Sequence, residues 1–162
     1  TEDNGVLVGV NTARPNRLAG LAMAVGAVPE LEGYETIRPE IPVPGGRLDF
    51  LLSHGSGPDC YVEVKFAHLK REGYLEFPDC KTERGAKHLG ILAELAKRGQ
   101  RAVMLYAGQR DDCEAFRLAA DLDPAYAKAF ADAKAAGVEA YCYTTLQTPD
   151  FSEWGRALEV RA

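Results

Sequence analysis

The sequence predicts an α/β fold, a three-layer α/β/α sandwich with a mixed central sheet. Two observations predict it: an element order of α-β-β-β-α-β-α-β, and the change along it from strands in direct succession to strands alternating with helices. The first three strands follow one another directly, as in a meander, and the later ones alternate with helices, as in crossover units.

Each element has a local reason. Residues 14–26 (RPNRLAGLAMAVG) read as a helix, with Pro15 suited to the first turn and Gly26 to the stop. Residues 35–43 are extended, and their prolines mark an edge strand. GRLDFLL and CYVEVKF, within residues 46–66, form a hairpin around SHGSGPD. HLKREGYLEFPD reads as a loop. Residues 82–98 make a long helix, with Thr82 as N-cap and Gly99 as stop. RAVMLYA, 101–107, is the short apolar strand. PAYAKAFADAKAA, 124–136, is an Ala-rich amphipathic helix ended by Gly137, and VEAYCYT, 138–144, is the last strand. The residues after Leu146 show no pattern. The start at Thr1, inside what reads as a strand end, suggests that more chain precedes it.

Composition narrows the function classes. The 162 residues are 46% apolar and 27% charged, ordinary for one globular domain with a real core. No run of about 18 apolar residues occurs, so a membrane span is not expected. Cys60, Cys80, Cys113 and Cys142 form no CxxC pair and no zinc spacing, and read as reduced thiols of a cytoplasmic protein. The net charge is −5, yet residues 60–110 hold 10 Lys/Arg against 6 Asp/Glu. A basic middle in an acidic chain is compatible with a local anion-binding face.

The hairpin carries charges where a sheet prefers Val or Thr. If its loop is symmetric about Ser56, Leu48 pairs with Val64, Phe50 with Val62 and Leu52 with Cys60. Asp49 then faces Glu63 with Cβ atoms about 5 Å apart. Two carboxylates that close repel unless a cation lies between them, and hard oxygens on facing strands suit Mg²⁺. Lys65 shares the Glu63 face and is placed to hold a water or phosphate. The other reading of the same residues is a solvated pair of acids bridged to Lys65 or Arg47. Asp59, which spells a literal PD before Glu63-x-Lys65, would lie about 13 Å from Glu63 along an extended strand, too far to share an ion.

The segments VGVNTARPNRL (8–18), PELEGY (29–34), GGRLDFLL (45–52), CYVEVKF (60–66), FPDCKTERGAKHLGIL (77–92), QRDD (109–112) and DPAY (123–126) together resemble the sugar fermentation stimulation protein A family. The resemblance implies a PD-(D/E)xK, restriction-endonuclease-like domain over 14–146. It further implies that 1–13 is a linker or the end of a preceding OB-fold-like domain, with 147–162 a C-terminal tail. It implies Asp49 and Glu63 as ligands of Mg²⁺ or Mn²⁺ and Lys65 as the catalytic lysine. The sequence departs from the family pattern at Phe66, where Asn is usual. Helix 14–26 also lacks the auxiliary glutamate of many such nucleases, leaving Asn16 or Glu40 as substitutes. The family is known as DNA-binding, with a proposed role in sugar (maltose) metabolism.

Around that site, Lys81, Arg84, Lys87 and His88 read either as a phosphate-contacting row beside a helix start or as a solvated face, with His88 equally a satisfied buried histidine. Arg110 reads as a phosphate contact or as a partner of Asp111 or Asp112. Asn11 and Asn16 read first as capping residues, and Trp154, Phe151, Tyr141 and Tyr143 as packing. The expected partner is DNA, with RNA kept alongside, and a homodimer is allowed. The expected function is a Mg²⁺-dependent phosphodiesterase site on a DNA-binding protein. The alternatives are a non-cleaving DNA-binding regulator, or a structural domain that binds an ion adventitiously.

Overall fold

The structure, a computed structural model, describes residues 2–3, 5–8, 13–148 and 151–161. A small hairpin, β1 (Glu2–Asp3) and β2 (Val6–Leu7), opens it. Helix α1 (Ala13–Ala24) follows, then a 3-10 turn at Pro29–Leu31 and strand β3 (Thr36–Val43). Strands β4 (Gly46–Ser53) and β5 (Cys60–Ala67) form the expected hairpin. The stretch read as a loop contains a second hairpin, β6 (Leu69–Arg71) and β7 (Tyr74–Phe77). Next come α2 (Glu83–Lys97), β8 (Arg101–Gly108), β9 (Ala115–Leu118), α3 (Pro124–Ala135) and β10 (Glu139–Gln147). The patternless tail holds β11 (Ser152–Leu158) and β12 (Val160–Arg161).

Six strands make the central sheet in the order β11-β10-β8-β5-β4-β3. Strands β3, β4 and β5 run antiparallel, β5, β8 and β10 are parallel, and β11 closes the sheet antiparallel to β10. The predicted mixed sheet is therefore present. The run RAVMLYA is one of its two middle strands, covered on both faces as parallel strands are. One face, bearing Phe50, Leu52, Val62, Val64, Val103 and Leu105, packs under Ala19, Ala22 and Met23 of α1. The other, bearing Met104 and Tyr106, packs under Leu89 and Leu92 of α2 and Tyr126 and Phe130 of α3.

Four strands were not legible because each is short and draws its stability from a neighbour. Strands β6, β7, β9 and β12 form a separate sheet in the order β12-β9-β7-β6. Its one local signal is Glu72-Gly73, both residues with positive φ (52° and 84°), the requirement of a two-residue type I′ hairpin turn. Strand β11 exists only as a partner of β10, and Trp154 on it stacks on Tyr143 at 5.6 Å between ring centroids.

The hairpin register is as expected for Phe50 with Val62 and Leu52 with Cys60, but the ladder ends there. The expected Leu48–Val64 pair does not form: Leu48 lies in the α2/α3 core and Val64 in the α1 core. The cause is local. Opposite Asp49, Glu40 has φ of 59°, a left-handed conformation that kinks β3, and the Asp49 carboxylate takes the Val64 N–H that the ladder would have used. Strands β4 and β5 part at Asp49.

The helix starts are tied together by one carboxylate. Thr82 caps α2, its hydroxyl accepting from Gly85 N at 3.0 Å. Asp123 caps α3, accepting from Tyr126 N at 3.0 Å, and also accepts from Thr82 N at 2.8 Å. These bonds, first that from Thr82, hold its carboxyl below the usual range. Gly85 is required at this crossing: a Cβ would stand 2.8 Å from Thr82 Cγ2 and 3.0 Å from the Tyr126 ring. The motifs T-x-R-G and DPAY, 41 residues apart from Thr82 to Asp123, thus meet in space. Asp123→Ala removes two bonds to buried helix starts and is expected to cost about 2–3 kcal/mol of unfolding free energy, measured as a lower urea midpoint with unchanged slope.

Candidate functional site

Alternation along β5 sends Val62 and Val64 toward α1 and leaves Glu63 and Lys65 toward α2. There Glu63 is 3% exposed, a carboxylate in the core. Burial alone would push its carboxyl up, but hydrogen bonding from His88 and the Lys65 charge outweigh this and hold it below the ordinary value. Lys65 Nζ donates to Glu63 Oε1 at 2.7 Å, and His88 Nδ1 meets the same oxygen. Glu63 Oε2 is buried and has no hydrogen-bond partner among the described residues.

Asp49 stands where the two strands part. Its Oδ2 accepts from Val64 N at 2.8 Å and its Oδ1 from Asn16 Nδ2 of α1 at 2.8 Å. Burial first, then the negative charge of Glu63, push its carboxyl up, as expected of two acids sharing a site. The Asn16 amide nitrogen is spent on this carboxylate, and its Oδ1 is buried without a partner among the described residues. Asp49 and Asn16 also line an open groove of about 420 Å³ between α1 and β3, walled by Leu21, Pro39 and Phe50.

The sequence reasoning brought Asp49, Glu63, Lys65 and Asn16 to one place, and the structure adds His88 to them. His88 is 5% exposed and belongs to the Glu63 pair, so it is a buried histidine and not a phosphate contact. Glu40 lines the same groove as Asp49, but its carboxylate is on the surface in an ion pair with Arg47 at 2.8 Å. Arg47 therefore serves Glu40 rather than Asp49 or Glu63. Lys81, Arg84 and Lys87 are exposed on and before α2, and no hydrogen bond or ion pair to a described residue holds them. Asn11 lies outside the described residues. All four cysteines are free thiols, and burial pushes that of Cys60 up to about 11. Among the described residues, no group of three or more His, Cys, Asp or Glu side chains is arranged to hold a metal, and no helix is long and apolar enough to cross a membrane.

Arg110 is corrected. Its guanidinium is 4% exposed and grips Asp112 at 2.6 and 2.9 Å and Asp3 at 2.9 Å, with no face left for a phosphate. Asp112 also takes Lys70 at 2.7 Å. These bonds, Arg110 first, hold the Asp112 carboxyl well below its ordinary range. A depressed folded-state value contributes stability above the ordinary carboxylate range that is lost as pH falls through the depressed value. Arg110→Ala is expected to cost about 3 kcal/mol, the low end for breaking a buried pair because Lys70 stays on Asp112, and to flatten the acid limb of the stability–pH curve. The salt dependence of any nucleic-acid binding should be unchanged by it.

Comparisons with known proteins identify the family. The family model described as the sugar fermentation stimulation protein RE domain matches residues 13–151. A sugar fermentation stimulation protein homolog of Paramagnetospirillum magneticum is 50% identical over 156 residues, covering 96% of this chain and 66% of that protein. The homolog of Agrobacterium fabrum is 55% identical over 150 residues, covering 91% of this chain and 63% of that protein. The chain thus spans just under two thirds of the length of these relatives. The solved structure of Pyrococcus furiosus SfsA in complex with Ca²⁺ superposes with a TM-score of 0.91 at 29% identity, covering 99% of this chain and 70% of that one. Matched by the family model from α1 through β10, and half identical to such relatives over nearly its whole length, the chain belongs to the sugar fermentation stimulation protein family.

Proposed function

We propose that this chain carries a Mg²⁺- or Mn²⁺-dependent phosphodiesterase-type site of a DNA-binding protein. One observation carries the reading: two buried oxygens, Glu63 Oε2 and Asn16 Oδ1, have no partner among the described residues and belong to side chains that bracket Asp49. Burying polar oxygens unpaired is costly, and a divalent cation ligated by oxygen removes the cost. The set fits a hard cation that takes one or two carboxylates and an amide oxygen and keeps several waters. The Pyrococcus relative in complex with Ca²⁺ supports a hard cation in this fold.

Asp49 and Glu63 would hold the ion, with Asn16 as the third oxygen in the place of an auxiliary acid. When bound, the ion supplies Lewis-acid polarisation of a phosphodiester and eases loss of a proton from water. Lys65, fixed on Glu63 Oε1, presents an ammonium beside that position to steady the attacking water and the charge that develops on phosphate. Lys81, Arg84 and Lys87, without a hydrogen-bond or ion-pair partner among the described residues, would track the backbone of the nucleic acid. Free thiols, three of them buried, fit a cytoplasmic setting.

The test is degradation of labelled single- and double-stranded DNA and RNA with Mg²⁺ or Mn²⁺, against a chelator. Cation-dependent cleavage supports the reading; salt-sensitive binding with no cleavage under any cation replaces it with a DNA-binding regulator. One observation favours that second reading. The third carboxylate available nearby, Glu40, is committed to Arg47 at the surface.

A further inference from the structure

Resting on the cation site proposed above, we infer that His88 is a positioning residue: its imidazole fixes Glu63 so that one carboxylate oxygen is spent and the other is kept for the cation. His88 enters from α2, a different element from those of Asp49, Glu63 and Lys65, and is buried beside Leu89 and Leu92. Its Nδ1 lies against Glu63 Oε1 and 3.1 Å from Lys65 Nζ. An ammonium has only donors and a carboxylate only acceptors, so Nδ1 cannot serve both. Contact with the carboxylate assigns the proton to Nδ1, which donates to Oε1. Lys65 donates to that same oxygen beside it.

Oε1 therefore receives two donors while Oε2 receives none from the described residues. A carboxylate held by Lys65 alone could rotate about its terminal torsion, which is soft and two-fold, and exchange the two oxygens. The imidazole closes off that rotation, because it comes from a helix anchored by the Thr82 and Asp123 caps. The outcome is a monodentate ligand with its free oxygen fixed. Hydrogen bonding around a ligating side chain of this kind tunes cation affinity by roughly 10–100-fold.

Mn²⁺ binding to the purified chain, followed by calorimetry beside urea unfolding of the same samples, tests this. His88→Ala is expected to weaken Mn²⁺ binding by about 10–100-fold. His88→Asn places an N–H where Nδ1 stands and should restore affinity to within about 3-fold of wild type, whereas His88→Gln, whose amide extends past that point, should not. Packing alone would not separate Asn from Gln in this direction. If His88→Ala does not fold, the Asn and Gln pair decides. Wild-type affinity in His88→Ala, or equal affinities for Asn and Gln, overturns the positioning role alone, provided Asp49→Asn abolishes binding. Saturable binding that survives Asp49→Asn, or is absent from the wild type, overturns the cation site itself and His88 with it.

Discussion

Lys65→Ala is expected to lower cation-dependent phosphodiester cleavage by about 10²–10⁴-fold, the range for a positioned proton-handling group, while leaving a folded protein that still binds nucleic acid. The reason lies in the site's charge balance. Lys65 is 15% exposed at its side chain and donates to a carboxylate that is 4% exposed, so its ammonium is a direct counter-charge to Glu63. Removing it leaves Glu63 with the imidazole alone, and the carboxyl rises toward the value that burial favours. Cation binding should weaken modestly, because a proton now competes better for Glu63, and cleavage should fall far more. Single-turnover rates at saturating Mn²⁺ separate the two effects. A rate unchanged at saturation would remove Lys65 from the chemistry and leave it a structural partner of Glu63.

Asp49→Asn should have the larger effect on the ion itself. The neutral amide keeps the size of the carboxylate: its oxygen can still accept from Val64 N, and its nitrogen can donate to Asn16 once that amide turns over, so the fold should survive. What it loses is the charge. Mn²⁺ binding is expected to fall by at least about 100-fold, taking the upper end of the range for disturbing a metal site as the minimum for losing one of two acids. Stability of the ion-free protein should hold or rise. The Asp49 carboxyl is pushed up by burial and by Glu63, so its ionisation opposes folding. A raised folded-state value contributes stability that is fully present at low pH and lost as pH rises through that value. The same sign fixes the pH dependence of binding in the wild type: Mn²⁺ affinity should fall as pH drops into the raised Asp49 range, with proton release on binding seen by calorimetry in buffers of different ionisation enthalpy. Proton release absent at all pH values would show that Asp49 is not displaced from its proton by the ion.

Much of the site was legible because the argument was local. Strand alternation and a register set by matching apolar residues brought Asp49, Glu63 and Lys65 together, and the Phe50–Val62 and Leu52–Cys60 pairs are as that reasoning requires. Thr82 caps its helix as read, and Gly26, Gly99 and Gly137 follow helix ends with positive φ. The run RAVMLYA reads as a short apolar strand, and β8 is that strand. These features depend on a few neighbouring residues and hold in any tertiary setting.

What only the tertiary structure decided is which partner each charge receives. Arg110 and Lys87 look alike in sequence, yet Arg110 is sealed against Asp112 and Asp3 while Lys87 stands exposed, because β1 and the loop after β8 converge on the first and nothing described converges on the second. His88 became a partner of Glu63 through the docking of α2, and Glu40 was carried to the surface by a left-handed kink that no residue type demands. The short strands β6, β7, β9, β11 and β12 follow the same rule. A strand of two to seven residues is stabilised by the neighbour that completes its hydrogen bonds, and that neighbour is absent from its own sequence.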